Sequence, residues 1–191
     1  MSSILKVDQL QDSGGNEIIT SNGSGTITVN SQPFKNGITM ADQWRLTTTT
    51  NSGTNADVTS NWERNDNTSY GSIGTGLTES SGIFSFPQTG IYLINFVARI
   101  GLAAGDLSAN FVLYTTLNNS TYGITSYATC GNAETSSGPT CNGSNHQLFD
   151  VTDITTHKFK FVTNSFDTGT VLTGSAGDTR TGFTCIRLGD T

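Results

Sequence analysis

The chain has 191 residues, a formal net charge of −6 and only 13% charged residues. Its nine Lys and Arg residues are scattered singly, whereas phosphate binding needs clustered basic side chains, so we expect no nucleic-acid partner. The apolar positions are mostly Ile, Val, Phe and Tyr, and Thr and Ser are abundant, a composition that favours strands over helices. The length suits one sandwich or barrel with an appendage, and the sequence therefore predicts an all-β protein.

The sequence indicates neither a membrane-spanning helix nor a signal peptide. A membrane-spanning helix needs about twenty consecutive apolar residues, and the sequence has no such run. The opening residues, MSSILKVDQL, lack the basic start and continuous apolar core of a signal peptide. We expect no membrane insertion and no standard export route.

Residues 1–40 read as short strands separated by Gly- and Ser-rich turns. Each strand has too few apolar residues to form a core, and isolated hairpins are marginal in water. We therefore predict an N-terminal segment, residues 1–40, that binds another subunit or another protein, ahead of a head domain of residues 41–191. The apolar residues expected to make this attachment are Ile4, Leu5, Val7, Leu10, Ile18 and Ile19.

The head domain contains one long strand that is apolar on both faces. It runs from Ile91 to Ile100, and the Tyr92, Ile94 and Phe96 face alternates with a second face. That second face carries Ile91, Leu93 and Val97, broken only by Asn95 and Arg99. A strand with one solvated face should alternate more cleanly, so we expect the second face to be buried against another sheet layer or a neighbouring subunit.

Further strands are predicted on either side of this one. They are placed near residues 43–50, 61–64, 71–77, 108–117, 157–164 and 181–190. Residues 128–146 show no apolar periodicity and are predicted to be an exposed loop that offers a contact surface. Short strands at turn-separated intervals without helices predict a sandwich, of which the jelly roll is the natural form.

Cysteine and acidic residues leave alternatives open. Cys130 and Cys141 flank a Gly- and Ser-rich stretch and would close a small disulfide, or all three cysteines are free thiols with Cys185 in the core. Asp150 and Asp153 would contribute to a calcium site, or they are turn-forming carboxylates, the interpretation we favour. No Cys-x-x-Cys pair or His cluster is present, so we expect no metal and no cofactor.

Catalysis is not indicated by the sequence. His146 is placed in a polar loop and His157 at a solvated strand end, and no Gly-x-Ser-x-Gly elbow is present. We expect no enzyme, although an enzyme acting on surface polysaccharide through two carboxylates in a cleft stays an alternative. Some exposed aromatic residues would stack on sugars, although such side chains more often pack in the core; Tyr122 and Tyr127 lie beside the predicted loop and are our candidates for contact with a surface glycan. The wider set is Trp44, Trp62, Tyr70, Tyr114, Tyr122 and Tyr127.

A family resemblance centres on GIFSFPQTGIYLINFVARI, residues 82–100. This segment resembles the central signature of the tumour necrosis factor-like and complement globular-head superfamily, and the closing GFTCIRLGD is similar to the last strand of that fold. The matching residues are Gly82, Phe84, Pro87, Gly90, Tyr92, Ile94 and Phe96. The resemblance covers about residues 43–191 and implies a ten-stranded jelly roll that assembles as a homotrimer, with Ile91, Leu93 and Val97 near the threefold axis.

The N-terminal segment carries a second resemblance. It is similar to the opening of tail-fibre-like and virion structural proteins of marine bacteriophages. The matching residues are Lys6, Val7, Leu10, Asp12, Gly14, Gly15, Ile19, Thr20, Gly23, Ser24 and Gly25. The resemblance implies a virion protein, assembled in the host cytoplasm, whose first forty residues attach to other capsid or tail proteins.

Taken together, the residues and the two resemblances predict a trimeric fibre or spike whose jelly-roll head adheres to the host surface. The alternative is a capsid-decorating, or cement, protein without receptor binding.

Overall fold

A computed structural model describes residue 7 and residues 9–29, 37–51, 55–132 and 138–191. Every regular element in these ranges is a strand, and none of them forms a helix long and apolar enough to span a membrane. The strands are β1 (Gln9–Gln11), β2 (Glu17–Ser21), β3 (Ile27–Val29), β4 (Ala41–Leu46), β5 (Thr50–Asn51), β6 (Ala56–Asp57), β7 (Trp62–Arg64), β8 (Thr78–Ser80), β9 (Ile83–Ser85), β10 (Gly90–Gly101), β11 (Ser108–Thr116), β12 (Gly123–Gly131), β13 (Thr140–Val151), β14 (Lys158–Asn164), β15 (Val171–Leu172) and β16 (Gly182–Gly189).

The chain divides into two compact units, Met1–Gly37 and Ile38–Thr191, and each is described by itself. In the first, β1, β2 and β3 form an antiparallel three-stranded sheet, the leader sheet. Leu10 lies opposite Ile19 in it, and Ile27 is 65% exposed. The assignment of residues 1–40 to a separate functional domain stays a prediction.

The second unit is a sandwich of two antiparallel sheets. Sheet I has the order β13-β10-β16-β4-β7, with β15 and β5 continuing it beside the end of β10. Sheet II has the order β12-β11-β14-β9-β8, with β6 beside β14. The predicted all-β jelly-roll sandwich is confirmed.

The core lies between the two sheets and is dominated by aromatic rings. Phe111 stacks on Phe161 with ring centroids 4.6 Å apart, and Phe84 stacks on Phe159 at 5.0 Å. The ring of Phe183 meets that of Phe84 edge-on at 4.7 Å. Such pairs stabilise beyond the area they bury. The two stacked pairs lie within sheet II, whereas the Phe183–Phe84 contact joins sheet I to sheet II.

Two glycines of the family-like motif are required by the backbone. Gly82 has φ +80°, and a Cβ there would lie 2.2 Å from the carbonyl oxygen of Val58. Gly90 has φ +143°, and a Cβ there would lie 2.4 Å from the carbonyl oxygen of Gly189. Because a side chain fits neither position, the spacing of the motif marks where β9 and β10 begin.

Two predictions about the strands were wrong. Residues 128–131 are the end of β12 and residues 140–146 are the start of β13, where a loop was predicted. The strand predicted at 71–77 is reduced to one bridge between Ala41 and Ile73, and the strand follows it at β8. Of the aromatic residues considered for sugar stacking, Trp44 is buried in the core and Trp62 packs against it, so both have the structural role that is more common for such side chains.

The error at β13 has a physical cause. Its residues, TCNGSNHQLFDV, include many small and polar types with weak strand preference. They are held in a strand because all twelve pair in register with the long strand β10. Tertiary pairing therefore overrides local preference in this segment.

Candidate assembly and contact faces

The outward face of sheet I is the first candidate site. Residues of β10 that point away from the core are Ile91, Leu93, Asn95, Val97 and Arg99, because Tyr92, Ile94, Phe96, Ala98 and Ile100 are fully buried on the other side. The strand order places β13 on one side of β10 and β16 on the other. The sequence prediction that β10 has two distinct apolar faces therefore has a structural basis.

An apolar row crosses three strands of this face. Leu93 of β10 lies opposite Leu148 of β13 and opposite Ile186 of β16. Ile91 and Val97 flank it and are half-buried, whereas Leu148 is 55% exposed. Within the described residues of the second unit, no further sheet layer covers Leu148. We call the row and its neighbours the assembly face.

The sequence identified only the part of the assembly face that lies on β10. Leu148 was missed because residues 128–146 were assigned to a loop, which hid the alternation of β13. Ile186 lies on the side of β16 opposite Phe183 and Cys185. Its place in the apolar row depends on the register that sets it beside Leu93, which the sequence pattern does not give. The assignment of Ile91, Leu93 and Val97 to a trimer interface stays a prediction.

A polar row lies next to the apolar row. Asn95 is opposite His146 of β13 and Thr184 of β16, and Thr184 is opposite Gln43 of β4. His146 is exposed on β13 and is not in a loop, as the sequence had indicated. The assembly face therefore combines an apolar row with a neutral hydrogen-bonding row that contains one imidazole.

The far edge of sheet I is held by a buried cation. Arg45 is 1% exposed and donates to Glu63 at 2.8 Å and to Asp66 at 2.8 Å. These bonds join β4 to β7 and to the loop that follows it. Because Glu63 and Asp66 neutralise it, the edge presents little uncompensated positive charge.

The outward face of sheet II is the second candidate site. Tyr127 of β12 is 42% exposed and lies opposite Val112. Tyr114 of β11 lies on the same face, opposite Lys160 of β14. Because the two sheets pack core to core, this contact face and the assembly face lie on opposite sides of the sandwich.

Tyr122 is placed differently from Tyr127. The ammonium group of Lys160 lies 4.7 Å from the centre of the Tyr122 ring, an arrangement in which cation and ring attract. Lys160 also donates to Asp57 at 2.6 Å. The Tyr122 hydroxyl is buried and has no hydrogen-bond partner in the described part of the chain. Burial, with the Asp57 carboxylate adding to it, raises the pKa of Tyr122.

The predicted attachment residues fall in the leader segment. Ile4 and Leu5 lie outside the described residues. Val7 and Leu10 are exposed, and Ile18 and Ile19 are half-buried in β2. Their role in attachment stays a prediction.

The remaining candidates are a metal site, the Asp153 carboxylate and the His157 ring. Among the described residues, no group of three or more His, Cys, Asp or Glu side chains is placed to hold a metal ion. Asp153 accepts hydrogen bonds from the hydroxyl and the N–H of Thr155, which lower the pKa of Asp153. His157 is buried rather than solvated, with its ring nitrogens 3.2 Å from Thr152 Oγ1 and 3.1 Å from Thr156 Oγ1.

Solved structures of the tumour necrosis factor family have the same fold. Eiger TNF from S. frugiperda matches with a TM-score of 0.63 and 13% identity, over 81% of this chain and 96% of that chain. Murine APRIL at pH 8.5 matches with a TM-score of 0.56 and 12% identity, over 78% of this chain and 98% of that chain.

These comparisons confirm the predicted tumour necrosis factor-type jelly roll, and at this identity they show the fold alone. A scan against protein-family models found no match, and a search of curated proteins found none either.

Proposed function

We propose that this chain is a non-enzymatic bacteriophage virion structural protein, a homotrimeric fibre or spike with a jelly-roll head. The observation that carries the proposal is the apolar row of Leu93, Leu148 and Ile186 on an otherwise solvent-facing sheet. Contiguous exposed apolar surface on a soluble domain marks an interaction site. A second copy of the same chain is the partner that the family-like fold favours.

The trimer buries the assembly face of each head against the other copies. In a closed trimer each copy contributes the same residues, and a row that lies at the threefold axis meets the equivalent rows of the other two copies. The neutral polar row beside Leu93 fits such an interface, because Asn95 and Thr184 offer hydrogen bonds without bringing three like charges together. Burial of Leu148 alone would contribute about 1 kcal/mol per chain.

The contact face then points away from the threefold axis. Because Tyr127 and Tyr114 lie on the sheet opposite the assembly face, a trimer presents three copies of them to its surroundings. Exposed tyrosine rings stack on sugar rings and retain a polar tip for hydrogen bonds. We assign host-surface glycan contact to Tyr127, with Tyr122 and its Lys160 partner at the border of the same face.

The leader segment provides the link to the particle. Its resemblance to the openings of bacteriophage virion proteins suggests this role, and its leader sheet leaves Leu10 and Ile27 exposed. Its strands are only three to five residues long, and a small sheet needs a buried hydrophobic face to be stable. Binding of the leader segment to capsid or tail proteins would cover these residues in the assembled virion.

The trimer is tested with the variant Leu148→Asp. Leu148 is partly exposed within one chain, so the substitution is compatible with the fold, but it places three carboxylates in the interface. We expect a trimer for the unmodified protein and a monomer for Leu148→Asp and Leu93→Asp, measured by light scattering coupled to size exclusion. Leu117→Asp is the matched control, because Leu117 is 63% exposed and lies outside the assembly face. A trimer that survives Leu148→Asp contradicts the interface.

The adhesive role is tested with Tyr127→Ala on a glycan array. We expect loss of about tenfold in glycan affinity, the effect of losing one well-placed aromatic contact. Tyr70→Ala, in the loop after β7, should bind as the unmodified protein does. Absence of any glycan signal from a trimer that still attaches to particles would favour a capsid-decorating protein, and depolymerisation of the glycan would favour an enzyme.

A further inference from the structure

We infer that His146 makes assembly of the head pH-dependent, so that acid separates the three chains. The inference rests on the proposed trimer and concerns the regulation of its interface. It starts from the position of His146, which is exposed on β13, directly opposite Asn95 and one row from Leu93 and Leu148.

His146 has no compensating charge close to it on its own sheet. Arg99 of β10 and Asp150 of β13 are each four residues along a strand from the Asn95–His146 row, which corresponds to about 13 Å. That distance exceeds the Debye length of about 8 Å at physiological salt. On β16 and β4 the same row continues with Thr184 and Gln43, which carry no charge.

The remaining charged groups near sheet I are engaged elsewhere. Arg45 on β4 is held by Glu63 and Asp66. Arg187 on β16 is turned towards the carbonyl oxygen of Thr89 and the carboxylate of Asp190. On the neighbouring β12, the contact near His146 is made by Tyr127, whose carbonyl oxygen accepts from Asn145 at 2.8 Å. Among the described residues of the head, no fixed anion is therefore placed to stabilise an imidazolium at His146.

Assembly changes the surroundings of this ring. In a single chain the ring is in water, where either protonation state is solvated. In the trimer it is enclosed in an interface whose nearest residues are neutral, and enclosure disfavours the charged form. The threefold symmetry also brings three rings into the same interface, and three positive charges there would repel one another.

The sign of the pH effect follows from proton binding. The trimer binds fewer protons than three separate chains, so acid favours the separate chains. Histidine changes charge between about pH 5 and 8. For each imidazole that is protonated on separation, the association constant falls about tenfold per pH unit once the pH is below the ordinary pKa of a solvent-exposed histidine, about 6.5. Three rings give a change of up to about a thousandfold per pH unit.

The experiment compares the full chain at pH 7.5 and pH 5.5 by sedimentation equilibrium. For the unmodified protein we expect a trimer at pH 7.5 and at least about a hundredfold weaker association at pH 5.5. His146→Gln should be a trimer at both values, because glutamine keeps a hydrogen-bonding side chain without a titrating charge. His146→Lys should be separate chains at both values.

The chain has only two histidines, and this provides a matched control. His157→Gln should keep the pH dependence of the unmodified protein, because His157 is buried beside Phe149 with a ring centroid distance of 5.9 Å and does not lie on the assembly face. Circular dichroism at pH 5.5 should show the same strand content as at pH 7.5, which separates dissociation from acid unfolding.

The outcomes distinguish the two proposals. A trimer of equal strength at both pH values, or a His146→Gln trimer that still dissociates in acid, overturns the inference and leaves the proposed trimer intact. Separate chains at every pH overturn both. Loss of strand content at pH 5.5 in the unmodified protein also overturns the inference, because the transition would then be unfolding.

Discussion

At the scale of single residues, the buried carboxylate of Asp42 organises one edge of the head. It accepts from the indole N–H of Trp44 at 3.0 Å and from the backbone N–H of Leu77 at 2.8 Å. Its other partner is Arg64, whose Nε lies 2.9 Å away. Asp42 therefore joins β4 to β7 and to the segment that leads into β8.

Replacing Asp42 by Ala should destabilise the head by about 3 kcal/mol, because the N–H groups of Trp44 and Leu77 would lose their acceptor inside the protein. The measurement is the free energy of unfolding from a urea titration. Asp66→Ala is the control: Asp66 is largely exposed and Arg45 would keep Glu63, so the loss should stay below about 1 kcal/mol. Equal losses for the two variants would show that Asp42 does not have this role.

Sequence reasoning could reach some of these residues and not others. Gly82, Phe84 and Gly90 could be recognised in the sequence because glycines at turns and a phenylalanine in the core recur at fixed spacing in the family-like motif. The Asp42–Arg64 pair spans 22 positions and connects two segments of unremarkable composition. Such a pair depends on how β4 and β7 align, and the alignment of two distant segments cannot be predicted from the pattern of residues within either one.

At the scale of strands, the sequence predicted the strand positions correctly wherever apolar and polar residues alternate clearly. The strands β10, β11, β14 and β16 each lie within one or two residues of the predicted range, because each buries one face of alternating large side chains. β13 has no such pattern, since its outward residues include Asn142, Ser144 and His146. Pairing with β10 determines its structure. The part of the assembly face that lies on β13 could therefore not be predicted from the sequence.

The neighbouring strands β12 and β13 carry the two cysteines for which a bridge was considered. The structure contains Cys130 and Cys141 as free thiols. Burial raises the pKa of Cys130 to about 12, and the hydrogen bond between its thiol and that of Cys141 adds to the shift. The thiols are thus in contact, but the neutral form of Cys130 is a weak nucleophile.

We expect a mild oxidant to join Cys130 to Cys141 slowly at pH 7 and faster at pH 9, where more thiolate forms. The bridge closes a short loop and should raise the free energy of unfolding by about 2–3 kcal/mol. Mass spectrometry of the alkylated protein measures the bridge, and Cys141→Ser is the control that cannot form it. Bridging between Cys185 and either thiol would contradict the expectation, because Cys185 is fully buried on β16.

At the scale of the whole molecule, the sandwich has two outward faces with different properties. The sheet I face is apolar in its middle row and the sheet II face carries tyrosines. A single chain gives no reason for the apolar row, whereas the proposed closed trimer would bury it and leave the tyrosines outside. The sequence predicted the sandwich from its strands and turns, but the opposition of the two faces required the pairing of β10 with β13 and β16.

The proposed trimer places assembly in the head, and removal of residues 1–37 tests this. Because the head has its own aromatic core and carries the whole assembly face, the chain of residues 38–191 should remain a trimer with a cooperative thermal transition. Light scattering coupled to size exclusion gives the molar mass of both forms, and particle binding by the shortened chain should be lost. Collapse of the shortened chain to a monomer would instead make the leader segment the assembly element. The exposed Leu148 would then need a different partner.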